Sequence, residues 1–241
     1  MPISVALRGR HADDEMGRSA WIAVIGSLRE ADLVFSTYRP DSYVSRLGRG
    51  EISPADCPPE VTEVLQLGAA AERDSHGAFR VRRPSPGGGT VFDPAGVVKG
   101  WAVERAADFL RELPDTDFCL SAGGDLTCRA TRPGSDPWRV GIEDPRDPTR
   151  ILAVVPVRVG AVATSGTVHR GSHLVDGRSG AAPECVASVT VVAGSLTWAD
   201  IDATAAYALG PDAAAWLRTR PGRTGLVVWR DGSSTVVGET D

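Results

Sequence analysis

The sequence predicts an α+β fold built largely on antiparallel sheet, and three observations carry that expectation. Strand-sized apolar runs crowd the second half of the chain with few helices between them, whereas strict strand–helix alternation would mark a parallel sheet. The first half holds segments whose apolar residues recur at helical spacing. No Gly-x-Gly-x-x-Gly joins a strand to a helix, so a doubly wound dinucleotide-binding fold lacks its fingerprint.

Taken in order, residues 3–7 alternate weakly and predict an edge strand. Over residues 18–34, Trp21, Ile22, Val24, Ile25, Leu28, Ala31, Leu33 and Val34 keep near-helical spacing. The stretch FSTYRPDS ends that helix, and Asp41 and Ser42 cap a short helical turn reaching Leu47. Pro58 and Pro59 open a helix over 60–74 with Val61, Val64, Leu65 and Leu67 inward. PSPGGG, residues 84–89, predicts a flexible loop. A third helix is expected over 101–113, ended by Pro114. DFCLSAGG, TCRAT, WRVGIED, ILAVVPVRVGAVATS, CVASVTVVA and TGLVVWR read as strands, with helices at 200–209 and 212–217 before the last of them.

Composition removes several function classes. With 241 residues, 42% of them hydrophobic, the chain can bury a core as one domain or as two small lobes sharing a cleft. A net charge of -5 offers no basic footprint for nucleic acid. The apolar runs are too short to span a bilayer, so no membrane insertion is expected. The first residues, MPISVALRGRHADDE, show no secretory signal, which predicts a cytoplasmic protein. Cys57, Cys119, Cys128 and Cys185 are widely spaced without a Cys-x-x-Cys pair and read as reduced thiols, with no disulfide framework or zinc site.

Lys99 is the only lysine; every other strongly basic side chain is arginine. A lysine kept where arginine is the default suits a site needing a compact ammonium. It follows an Asp-Pro-Ala-Gly turn and is expected to open a helix, whose free N–H groups favour anions. Asp200 and Thr204 lie four apart and share one helix face, with Asp202 pointing elsewhere. Their hard oxygens suit Mg²⁺, but the stretch alone better suits a helix-dipole carboxylate beside a surface threonine. His173 and Asp176 flank two apolar residues before a Gly-rich turn, either a general base with an orienting acid or a structural pair. Thr164, Ser165 and Gly166 end an apolar strand, as a phosphate contact or as a plain turn. Gly123 and Gly124 allow close approach by a ligand, or a tight bend.

Each signal is weak alone, but their order is informative. FSTYRPDSYVSRL, GAF, DPAGVVKGWAVERA, SAGGDL, WRVGIEDP, ATSG, HLVDGRSG, SVTVVA and ADIDATAAYALG run from about Phe35 to Gly210. In that succession they resemble the ApbE family, the FAD:protein FMN transferases. The resemblance implies one α+β unit over residues 1–241 with a central flavin cleft. It implies Mg²⁺-dependent transfer of FMN from FAD to a threonine or serine of an acceptor flavoprotein, with release of AMP. It matches Asp200, Thr204 and the carbonyl of Gly96 to metal ligands. Tyr38, Ala78, Phe79, Asp93, Lys99 and Val175 match FAD-contacting positions, and His173 matches the base that deprotonates the acceptor hydroxyl. Arg80 stands where the family usually has an aspartate, and the segment between Phe79 and Asp93 is short for the family. Hydrolysis of FAD to FMN and AMP, and flavin binding without catalysis, are the competing expectations.

Overall fold

The computed structural model describes residues 1–84, 88–166 and 174–238. The chain opens with strand β1 (Ile3–Gly9) and helix α1 (Glu15–Phe35), whose first turn is capped by Asp14 accepting from the Gly17 N–H. Helices α2 (Tyr43–Gly48) and α3 (Pro59–Asp74) follow, then the short strands β2 (Arg82–Pro84) and β3 (Thr90–Phe92). Helices α4 (Ala95–Ala106) and α5 (Asp108–Arg111) lead into β4 (Thr116–Ala122), β5 (Asp125–Arg129), β6 (Trp138–Asp144), β7 (Asp147–Val157), β8 (Val159–Gly166) and β9 (Val186–Ala193). Helices α6 (Leu196–Leu209) and α7 (Ala213–Leu217) precede the last strands, β10 (Thr224–Trp229) and β11 (Ser234–Val237).

Among the described residues, seven strands form one sheet in the order β1-β4-β5-β8-β9-β10-β11, and each of its neighbouring pairs is antiparallel. The α+β expectation therefore holds, and β1 takes the edge position expected of residues 3–7. One face carries α6, whose alanines at 199, 203, 205, 206 and 208 are buried and let the helix lie close to β8 and β9. Alanine is also the strongest helix former, so packing and propensity agree there. Helix α4 packs on α6, and α1 packs on α4, with Phe35 meeting the Trp101 ring edge-on at 5.1 Å. The β6–β7 hairpin supplies a second, smaller core, in which Trp138, Val140 and Val157 cover Cys128, Ala130 and Val162. No helix among the described residues is long and apolar enough to cross a membrane.

Several boundaries differ from expectation for identifiable reasons. The third helix starts at Ala95 and breaks into α4 and α5, so Lys99 lies in its second turn and does not open it. Glycines and β-branched residues at 96–98 and 100 weaken the local helix signal, and packing against α6 overrides it. The expected loop at 84–89 is flanked by the two-stranded β2–β3 ladder, with residues 85–87 outside the described set. The apolar run 151–165 divides at Arg158: β7 pairs with β6 in its own hairpin, and β8 joins the large sheet. Strand β11, four residues long and directly after Asp-Gly-Ser, had no sequence signal of its own.

Candidate active site

Three structural features converge on one cleft of about 250 Å³: the α4–α6 helix pair, the β4–β5 turn beside the last residues of β8, and the β6–β7 hairpin. Helix α6 is positioned first. Its N-cap Ser195 is held by Glu104 of α4, which accepts from Ser195 Oγ at 2.7 Å, from Thr197 N at 3.0 Å and from Thr197 Oγ1 at 2.6 Å. Gly100 then lets the two helices touch. A Cβ there would stand 2.7 Å from the Leu196 carbonyl oxygen and 2.9 Å from Asp200 Cβ. Because that space is kept free, the Gly100 N–H donates to Asp200 Oδ2 at 3.0 Å.

Asp200 is 1% exposed and its other oxygen, Oδ1, lies 3.0 Å from Lys99 Nζ. The same ammonium contacts Asp125 Oδ2. Burial pushes the Asp200 carboxyl up to about 6, against the pull of Lys99. Burial also works against the Lys99 charge, but Asp200 and Asp125 together raise it above the ordinary ammonium value. Asp125 is delivered by the β4–β5 turn, where Gly123 and Gly124 take φ of 60° and 95°. Two successive positive-φ residues make the tight turn that suits the twist of a hairpin, and glycine does so without strain. Asp125 Oδ1 accepts from Thr164 N at 2.9 Å, which fixes the end of β8. Next along, Ser165 Oγ sits 3.0 Å from Thr204 Oγ1 on α6.

The polar floor of the cleft is therefore a lysine, two buried carboxylates and two hydroxyls. Its walls include Phe79, Val140, Ile142, Leu174 and Val175. An apolar trough ending in a few convergent polar groups is the form of a site for a ligand with a flat organic part and a charged part. Among the described residues no group of three or more His, Cys, Asp or Glu side chains is placed to hold a metal alone. Asp200, Thr204 and Ser165 are hard oxygen donors too few for a protein cage, which fits a cation completed by phosphate oxygens and waters.

The sequence profile of the ApbE family matches residues 80–227. The chain belongs to the ApbE family. The FAD:protein FMN transferase of Escherichia coli K12 is 30% identical over 152 residues, covering 59% of this chain and 43% of that protein. The FAD:protein FMN transferase of Rhodobacter capsulatus is 31% identical over 174 residues, covering 66% of this chain and 32% of that protein. The chain thus spans less than half the length of these curated relatives. The ApbE protein of Thermotoga maritima superposes with a TM-score of 0.82 at 20% identity, covering 98% of this chain and 93% of that one. The apo flavinyl transferase ApbE of Pseudomonas stutzeri gives 0.80 at 23% identity, with 98% and 95% covered. These structures share the fold.

In this ApbE-family chain, eight of the ten residues matched by the resemblance line the cleft, Ala78, Phe79, Asp93, Gly96, Lys99, Val175, Asp200 and Thr204, and so do Gly123, Gly124, Thr164, Ser165 and Gly166. Asp93 also accepts from the Ala95 N–H at 3.0 Å and so caps α4. Tyr38 is not brought to the cleft lining; it stands 96% exposed on the connection between α1 and α2. His173 lies outside the described residues. Asp176 is engaged by Arg178, with Nη2 at 2.7 Å from Oδ2. Asp202 faces away from the cleft, paired with Arg223 at 2.7 Å and Arg220 at 3.2 Å. Arg80 lines the cleft but is tied to Glu72 at 3.0 Å.

Asp125 is the site residue that sequence reading missed. A lone lysine in an acidic chain needs a carboxylate partner, and an aspartate opening an apolar strand straight after a Gly-Gly turn was the available signal.

Proposed function

We propose that this chain is a Mg²⁺-dependent FAD:protein FMN transferase, acting as a single unit over residues 1–241. It takes FAD in the cleft, passes the FMN half to a threonine or serine hydroxyl of an acceptor flavoprotein, and releases AMP. The observation that carries this reading is the pairing of a polar Lys99–Asp200–Thr204–Ser165 floor with apolar walls, in a chain of the ApbE family.

Phosphoryl transfer asks a protein for position and charge more than for covalent help. Here the acceptor oxygen forms a bond to the FMN phosphorus, the bond from that phosphorus to the AMP oxygen breaks, and AMP carries away the electron pair. Asp200 and Thr204, with the Gly96 carbonyl, are the residues that would hold Mg²⁺. The bound ion supplies charge neutralisation for the pyrophosphate and the leaving group. Lys99 adds a second fixed positive charge at the same place, held ready by Asp125. Phe79, Ile142 and Val175 offer the flat flavin an apolar surface. His173, by the family match, takes the proton of the acceptor hydroxyl, a contribution of about 10²- to 10⁴-fold for a positioned base.

The competing hydrolase reading shares the metal site but replaces the acceptor with water, so the acceptor dependence of AMP release separates the two. AMP formed only when an acceptor flavoprotein is present supports transfer; equal AMP without acceptor means hydrolysis. FAD bound but intact in Mg²⁺ means a carrier.

A further inference from the structure

Cys119 and Cys128 stand directly opposite each other on β4 and β5. The type of that pair follows from the turn. Gly123 and Gly124 form a two-residue loop, so Ala122 and Asp125 close the hairpin as a hydrogen-bonded pair, and pair types alternate from there. Three steps back, Cys119 and Cys128 form a non-hydrogen-bonded pair. The far edge of β5 agrees, because the Ala130 N–H donates to the Arg158 carbonyl at 2.6 Å. Residues 126, 128 and 130 therefore turn their backbone groups toward β8, away from β4. In such a pair the Cα atoms are about 4.5 Å apart and the side chains share one face. That lies within the roughly 4.4–6.8 Å that a disulfide bridges.

The surroundings divide the work between the two thiols, which face each other across the strand pair. Cys119 is partly exposed and Cys128 is buried. The neighbouring Cys128 thiol holds the Cys119 thiol below its ordinary value, and the Arg8 guanidinium adds to this. Arg8 is itself held in place over the Trp138 ring, 3.6 Å from its centroid.

We propose that Cys119 and Cys128 form a thiol–disulfide exchange site that reacts with low-molecular-weight disulfides of the glutathione class and closes into a cross-strand disulfide. The Cys119 thiolate attacks one sulfur of the small disulfide, forming a mixed disulfide and expelling one small thiolate. Cys128 then gives up its proton and attacks Cys119 Sγ, expelling the second. The protein loses two hydrogens overall, and the small disulfide is reduced to two thiols. The attacking group is the accessible one with the greater thiolate character, and the resolving group is already in contact. Closure also removes the S–H that Cys128 directs at the Val157 carbonyl, 3.9 Å away at the base of the β6–β7 hairpin. The chemistry is independent of the transferase reading.

The test uses the full chain with Cys57→Ser and Cys185→Ser, so that the pair holds the only thiols. The protein is equilibrated over a series of oxidised-to-reduced glutathione ratios, quenched with N-ethylmaleimide in denaturant and weighed intact. The expected result is a species lacking two hydrogens, with no maleimide, whose digest links the Cys119 and Cys128 peptides; adding Cys119→Ser abolishes it. Two maleimides per chain at every ratio, a lasting glutathione adduct on Cys119, or disulfide-linked dimers would each overturn the proposal.

Discussion

Lys99 Nζ lies between two carboxylates from different parts of the fold, touching Asp125 at the start of β5 and standing 3.0 Å from Asp200 on α6. The two carboxylate side chains are 3% and 2% exposed, so the ammonium is what makes their burial tolerable. Removing one partner from a buried ionic group costs about 3–5 kcal/mol, because the remaining charge is stranded. Lys99→Met is therefore expected to lower unfolding stability by about that amount and to weaken FAD binding. Chemical denaturation and a flavin-fluorescence titration check the two effects; unchanged stability would mean that the ion triad is not formed.

Asp125 divides the attention of Lys99. With Asp125→Asn the shape and the Thr164 contact are kept but the charge is lost, leaving Asp200 as the remaining anion of the triad. Lys99 then competes directly with a cation for Asp200. Residues that orient a metal ligand without touching the metal typically change its affinity by about 10- to 100-fold, and a loss of that size is expected for Mg²⁺ by calorimetry. Wild-type affinity in the variant would remove Asp125 from the site.

Asp200 and Asp202 make an internal control. Both are 1% exposed on the same helix, yet one faces the cleft and the other faces Arg220 and Arg223. Asp200→Asn should abolish Mg²⁺ binding while the chain stays folded. Asp202→Asn should lower the melting temperature and leave the Mg²⁺ affinity of the folded protein unchanged. Identical behaviour of the two variants in both assays would contradict the assignment.

The pH response follows from Asp200, whose carboxyl is raised by burial from 3.8 to about 6. Between those values the folded chain holds a proton that the unfolded chain has lost. This group therefore favours the metal-free fold at the acid end, and that contribution is lost as pH rises through about 6. Mg²⁺ needs the ionised form, so its affinity should fall about tenfold per unit as pH drops below about 6. Calorimetric titrations above and below that value test it, and a flat affinity would exclude Asp200 as the ligand.

The long helices and the sheet strands were legible because their signal is local. Ser42 caps α2 as its position before the apolar turn implies, and apolar spacing marks which faces turn inward. What escaped depended on distant partners. The helix expected from Lys99 onward begins earlier, at Ala95, where Gly96 and two valines give little local signal; α6 supports that first turn by offering a surface that glycine at 100 can approach. The division of 151–165 at Arg158 is set by which sheet each half joins, a matter invisible to periodicity. In the site, Lys99 and Asp200 drew notice as residue types, but their contact is created by the packing of α4 on α6, and the β4–β5 turn brings Asp125 to the same ammonium. Tyr38 shows the opposite limit: a motif match carried it to the flavin, whereas the structure leaves its side chain in solvent.

The most direct measurement is the intact mass of an acceptor flavoprotein after incubation with this chain, FAD and Mg²⁺, with AMP quantified alongside. The expected result is an acceptor heavier by one FMN phosphoester and one AMP released for each modified acceptor, both lost with Asp200→Asn. An acceptor of unchanged mass, with FAD intact or with AMP released regardless of acceptor, would contradict the transferase account.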